Sequence, residues 1–336
     1  KALEDQNKII DVKHAGTSFR FLTALLALKN KKEFILTGSD RLKERPIKEL
    51  VKVLIKMGAN IKYIEKEGFA PIKILGTKLN GGFVEINGEI SSQFISAILL
   101  IAPILKNGIK LKIIGDIVSR SYILMTLKLM SEFNIKWTWS DNIITIKKQD
   151  YRKKKYSIES DWSAASFWFQ IASLSENCSI RLNRLRKDSI QGDRAVIEIF
   201  NNLGVETCFS KSTLILNKNS TIKTHRTYNL NNYPDLYQPL SVTLFARNIK
   251  SSFTGITTLK NKETDRLKAV KNELKKLSTN RIIETYKDHR MAMSFAPLCL
   301  KFGEIEIKDV NIVSKSYPNF WNDLKKGGFT ICPLTD

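Results

Sequence analysis

The sequence is poor in the residues from which metal and redox centres are built. Four cysteines and three histidines are spread through 336 residues. Cys178, Cys208, Cys299 and Cys332 form no CxxC pair, and His14, His225 and His289 form no HExxH spacing. Neither a zinc site nor a disulfide framework is legible, and reduced thiols in a cytoplasmic protein are the simple reading. Long apolar runs are lacking too: the longest, Phe94 to Leu105, is interrupted by Ser96 and Pro103 and falls short of the roughly 20 residues a membrane-crossing helix needs. GxGxxG, GxxxxGKS/T and GxSxG are absent, which removes the common nucleotide cradles and the nucleophile elbow. The opening Lys1, Ala2, Leu3, Glu4, Asp5 has neither an initiator Met nor a secretory pattern. The expectation is that processing or truncation removed what came first.

What is present is the composition of a soluble globular protein, 43% apolar and 26% charged, on a chain long enough for two domains. The net charge of +22 leaves two readings open, a solvated basic surface or a nucleic-acid face. Scattered lysines, with only Arg152 to Lys155 forming a run, favour the first.

Several stretches share one plan, a β-branched strand, a polar loop, an amphipathic helix, a helix-ending Gly, Asn or Ser, and another strand. Phe34 to Thr37 leads through Pro46 into a helix ending at Gly58 before Ile61 to Ile64. Leu111 to Ile114 leads into one ending at Asn134, and further stops are expected at Gly204 and Ser278. The stops lie 76, 70 and 74 positions apart, an internal repeat too long for a solenoid and suited to packed α/β units. Further strands are expected at Val84 to Ile86, before Ser91, Ser92 and Gln93, and at Tyr156 to Glu159, before Asp161, Trp162 and Ser163. Gln149 to Lys155 is the expected domain junction.

Three helix starts carry basic residues where the helix dipole disfavours them by about 0.3 to 1 kcal/mol. In AGTSFRF, Gly16 and Thr17 read as the cap with Arg20 in the first turn. In KETDRL, Thr264 reads as the cap beside Arg266. In DHRMAM, Asp288 reads as the cap before His289 and Arg290. Each arginine alone is compatible with solvent or a nearby acid; three together point to phosphate or carboxylate groups held by amide donors and guanidinium forks.

Taken together these segments resemble the EPSP synthase (3-phosphoshikimate 1-carboxyvinyltransferase) family of enolpyruvyl transferases. The resemblance runs from Ala15, Gly16, Thr17 to Lys315, Ser316, Tyr317, Pro318, and its most specific pieces are LKERP, ending in Arg45 and Pro46, then Ser91-Ser92-Gln93, KETDR and DHRMAM. It implies an α/β (α+β) fold of two globules, 1–157 and 158–336, built from repeated βαβαββ units around a pseudo-threefold axis in each, with the active site in the cleft between them. It also implies that the first globule lacks its first repeat and that the chain as given is a poor catalyst.

The resemblance implies that Ser91, Ser92, Gln93, Ser119, Tyr122, Asp235 and Lys262 hold shikimate 3-phosphate. Gly16, Arg45, Gln93, Arg266, Arg290 and Lys315 would hold phosphoenolpyruvate, with glyphosate competing beside Gly16. Asp235 would face the reacting hydroxyl and Glu263 would protonate the methylene carbon. Replacing Arg266 or Arg290 by Ala is expected to weaken phosphoenolpyruvate use with the fold intact. No metal or other cofactor, nucleic acid or membrane is implied, and a monomer when complete. His14 and Thr258 stand where the family often has Asn. The alternatives are a fold-retaining inactive fragment, a basic nucleic-acid-binding protein, and the sister transferase acting on UDP-N-acetylglucosamine, whose loop cysteine has no counterpart here.

Overall fold

Residues Ile109 to Ile113 alternate apolar and basic side chains, and Ile114 follows. In the computed structural model they form a strand with Ile109, Leu111 and Ile113 buried and the two lysines exposed, as a half-buried sheet requires. The structure describes residues 8–223 and 227–333; His225 and the opening Lys1 to Asp5 lie outside the described residues. The chain divides into two compact units, Lys1–Tyr156 and Ser157–Asp336, each with its own apolar core.

The first unit contains one motif twice. Its first copy is β1 (Lys8–Asp11), α1 (Gly16–Ala27), β2 (Glu33–Thr37), the short α2 (Asp40–Lys43), α3 (Lys48–Lys56), β3 (Asn60–Tyr63) and β4 (Ile72–Leu75). The second is β5 (Gly82–Asn87), α4 (Ser92–Ile101), β6 (Ile109–Ile114), α5 (Arg120–Glu132), β7 (Thr138–Ser140) and β8 (Ile143–Ile146). The sheets have matching orders, β1-β2-β4-β3 and β5-β6-β8-β7. In each, a parallel pair flanks the first helix and an antiparallel hairpin closes the motif. This is the expected βαβαββ unit. At the end of α3, Gly58 adopts φ +105°, a conformation that favours glycine and stops the helix there. Helix α4 is buried on nearly every side because α1 and α5 both pack on it. Each Leu or Ile so buried contributes about 1.5–3 kcal/mol.

The second unit uses shorter forms of the motif. It runs α6 (Trp162–Leu174), β9 (Ser179–Asn183), α7 (Val196–Asn201), β10 (Leu203–Ser210) and β11 (Thr213–Ile222). Next come β12 (Thr227–Asn229), α8 (Tyr237–Ala246), β13 (Ser252–Thr254) and α9 (Arg266–Lys276). It ends with β14 (Ile282–Ile283), α10 (His289–Phe295), α11 (Cys299–Phe302), β15 (Glu306–Ile307) and α12 (Phe320–Lys326). Parallel pairs β12·β13 and β14·β15 flank α8 and α10, and these helices pack on each other and on α6.

Several local expectations are corrected. Tyr156 to Glu159 is not a strand: Ile158 is 76% exposed and Tyr156 packs its ring on Phe133, so the apolar content serves no sheet face. Gly204 does not end a helix. Helix α7 ends at Asn201, and Gly204, at φ +78°, lies inside β10 where the register with β11 shifts; positive φ serves a bulge as well as a helix stop. The stop expected at Ser278 is met as at Gly58: α9 ends at Lys276, Leu277 is its C-cap and Ser278 follows. The cap of α1 is Ala15, which moves Arg20 into the second turn, and the cap of α9 is Asp265, whose carboxylate accepts from the amides of Leu267 and Lys268. Asp outcompetes Thr264 there because a charged acceptor suits the helix dipole. Among the described residues no helix is long and apolar enough to cross a membrane.

Candidate active site

In the second unit three helix starts bring charged groups together. Asp235 sits in the Pro234–Leu236 turn that enters α8, Arg266 opens α9, and Asp288 caps α10 just before His289 and Arg290. Arg266, 2% exposed, is the hub: Nε donates to Asp288 Oδ2 at 2.7 Å, Nη1 to Asp235 Oδ1 at 2.8 Å and Nη2 to Glu263 Oε2 at 2.8 Å. One planar fork thus fixes three carboxylates, which a lysine could not do. Arg290 Nη2 reaches Asp235 Oδ2 at 3.2 Å, Lys262 Nζ lies 3.7 Å from Asp235 Oδ1, and Lys315 Nζ donates to Glu263 Oε1 at 3.0 Å.

This cluster sets its own protonation. Burial alone would raise the Asp235 carboxyl, but Arg290, Lys262 and Arg266 outweigh it and hold the group well below the usual carboxylate range. Asp235 favours the charge on Lys262, yet burial and the neighbouring Arg266 and Arg290 lower that ammonium. Burial, with Arg290 beside it, pushes His289 down to about 4, so the ring is neutral at pH 7. Asp193, 2% exposed and accepting from the Ser163 hydroxyl, is pushed up to about 6 by burial first and then by Asp235.

The first unit holds a different set. A Cβ added to Gly16 would lie 2.8 Å from Arg45 Nη1 and 2.9 Å from Arg20 Nη1, so two guanidinium groups occupy the space that a side chain would take. Gln93, near the start of α4, accepts from Arg20 Nη1 at 2.6 Å and donates to Thr17 Oγ1 at 3.0 Å. Ser91 caps α4 and Ser92 is its first residue, but the Ser91 hydroxyl makes no capping bond. Ser119, 7% exposed and in the left-handed region at φ +56°, stands before α5 with no capping bond either. Its carbonyl accepts from the Tyr122 amide at 3.0 Å.

The structure therefore gathers Asp235, Lys262, Glu263, Arg266, Arg290 and Lys315 in one unit. Gly16, Arg45, Ser91, Ser92, Gln93, Ser119 and Tyr122 belong to the other. Of the four cations named for phosphoenolpyruvate, Arg45 belongs to the first unit and Arg266, Arg290 and Lys315 to the second. Two participants escape a reading by motif: Asp288, which looks like a simple cap, and Asp193, whose burial no periodicity announces. Arg20 was visible only as a misplaced charge.

Repeated βαβαββ units that carry buried carboxylates, cations and hydroxyls at their helix starts define an α/β enzyme scaffold equipped for small anions and proton transfer. The sequence profile of the EPSP synthase (3-phosphoshikimate 1-carboxyvinyltransferase) family matches residues 1–324, and the chain belongs to that family. It is 43% identical to a 3-phosphoshikimate 1-carboxyvinyltransferase of Bacteroides fragilis, over 98% of this chain and 86% of the relative. It is 33% identical to one of Haemophilus influenzae, over 93% and 77%. Among solved structures, an EPSP synthase from Acinetobacter baumannii superposes with a TM-score of 0.74 at 21% identity, covering 98% of this chain and 80% of that one.

Proposed function

We propose that the protein transfers the enolpyruvyl group of phosphoenolpyruvate to the 5-hydroxyl of shikimate 3-phosphate and releases phosphate, a step of aromatic amino-acid biosynthesis. One observation carries the reading of the site: Asp235 and Glu263 are both oriented by Arg266 at 2.8 Å, each with a second cation on its other oxygen. Two carboxylates so held suit one proton acceptor and one proton donor. Asp235 takes the hydroxyl proton as the oxygen bonds to the enol carbon, and Glu263 delivers a proton to the methylene carbon. The tetrahedral adduct then loses a methyl proton and phosphate, restoring the double bond.

Arg266, Arg290 and Lys315, with Arg45, Gly16 and Gln93 of the first unit, bind phosphoenolpyruvate in this reading. Ser91, Ser92, Gln93, Ser119, Tyr122, Asp235 and Lys262 bind shikimate 3-phosphate. The electrostatics add a consequence. Without substrate, Asp235 is a weak base because three cations stabilise its charge. Phosphate and carboxylate groups arriving on those cations cancel part of that field, so the base strengthens when the substrates are in place. The test is phosphate release from the two substrates together. Release that requires both supports the reading, and release from either alone, or none, overturns it.

A further inference from the structure

Gln93 is held at both ends of its carboxamide by residues of α1. A guanidinium has only donors, so the atom facing Arg20 Nη1 at 2.6 Å is the amide oxygen. The amide nitrogen then faces Thr17 Oγ1 at 3.0 Å, which takes one of its two hydrogens. The other hydrogen has no acceptor among the described residues. The reversed amide would set N–H against N–H at Arg20, and it is thereby excluded. Arg20 is itself fixed: it is 7% exposed, its guanidinium carbon stands 5.4 Å from the centroid of the Phe94 ring, and Nη1 lies against Gly16.

We infer that Arg20 is a positioning residue, which locks the Gln93 carboxamide so that its remaining N–H is presented to the anionic substrate beside Gly16 and Arg45. Thr17 completes the lock from the opposite side. This rests on the functional reading above and deepens it by assigning the orientation of one substrate contact to a residue that is not itself that contact. Arg20 is used for its charged, planar fork and its lack of acceptors.

The experiment is a double-mutant cycle on Arg20→Met and Gln93→Ala, read as kcat/KM for phosphoenolpyruvate. Arg20→Met alone is expected to lower it about tenfold, chiefly through KM, as for the loss of one charge-assisted hydrogen bond. In the Gln93→Ala background the same substitution is expected to change it less than about twofold, since nothing remains to be positioned. Equal losses in both backgrounds would mean that Arg20 acts on the substrate directly, and would overturn the inference. If Arg20→Met does not fold, the cycle of Thr17→Val with Gln93→Ala decides in the same way. Wild-type turnover tests the functional reading separately. Should turnover be absent, the cycle is read in phosphoenolpyruvate affinity by calorimetry; additive losses, or no affinity in the wild type, overturn the inference.

Discussion

The two units solve anion recognition differently. The first repeats its motif complete, places hydroxyls and an amide at its helix starts and sets two guanidinium groups beside Gly16. The second shortens the motif and packs the starts of α8, α9 and α10 so that four cations meet three carboxylates. Hydroxyls, an amide and guanidinium groups can bind an anion but do not gain or lose a proton readily at neutral pH; carboxylates can do so, and they must be held by cations to stay buried and ionised. On this view the first unit is a receptor and the second is where protons move.

Breaking that division produces the largest expected effect. Asp235→Asn keeps the shape and one acceptor for Arg266 while removing the base, and kcat is expected to fall by about 100- to 10,000-fold, far more than the loss of charge pairing with Arg266, Arg290 and Lys262 lowers the melting temperature. Steady-state kinetics beside a thermal melt checks it, and an intact kcat would mean that Asp235 only balances charge. Arg266→Ala should act in the opposite register. The sequence presents Arg266 as a ligand contact whose loss spares the fold, but it is buried against three carboxylates. Removing one partner from such a network costs about 3–5 kcal/mol. Denaturant unfolding of Arg266→Ala is expected to show that loss, and stability equal to wild type would refute the hub.

A smaller effect is expected in the first unit. In Gly16→Ala the added methyl meets the ends of Arg20 and Arg45, at 2.9 and 2.8 Å. Both contacts are with side-chain ends, not backbone, so they give way and the fold survives, at a local cost on the order of 1 kcal/mol that includes displacing the otherwise fixed Arg20. KM for phosphoenolpyruvate should rise severalfold and glyphosate inhibition should weaken further, with kcat nearly kept. A fall in kcat with KM unchanged would contradict a purely receptive first unit.

How much of this was legible in the sequence follows the range of each interaction. The strands at Phe34 to Thr37 and Leu111 to Ile114 and the stop at Gly58 were readable because period-two burial and positive φ are local. The edge of α9 was misread by one residue, since Thr264 and Asp265 are both good caps and the charged acceptor takes the position. Lys262, Glu263 and Arg266 lie within one motif, so their grouping was visible. The direct pairing of Arg266 with Asp235 and Asp288 was not, because they come from three segments separated by 31 and 22 positions and no local signal encodes which side chains meet. Tyr156 to Glu159 shows the converse, a good strand pattern that no neighbour pairs.

The smallest expected effect separates a structural carboxylate from the reactive ones. Asp193 is buried beside Asp235 and is pushed up to about 6, against about 3.9 for a free aspartate. The folded protein therefore binds a proton more tightly than the unfolded chain between pH 4 and 6. Stability from this group is fully present below the unfolded value and is lost as pH rises through 6. His289 runs the other way. Held down to about 4 from about 6.5, it costs stability as pH falls from 6.5 towards 4, so in the wild type the two slopes partly cancel. Asp193→Asn keeps an oxygen for the Ser163 hydroxyl but removes the titration. The variant should gain on the wild type between pH 4 and 7 by on the order of 1 kcal/mol, a few degrees in melting temperature. The same change at Asp235 should show the reverse, because there the cations hold the carboxylate ionised and Asn forfeits that attraction at neutral pH. Thermal melts of both variants across that range make the comparison; parallel curves for the two would mean that the two aspartates share one environment.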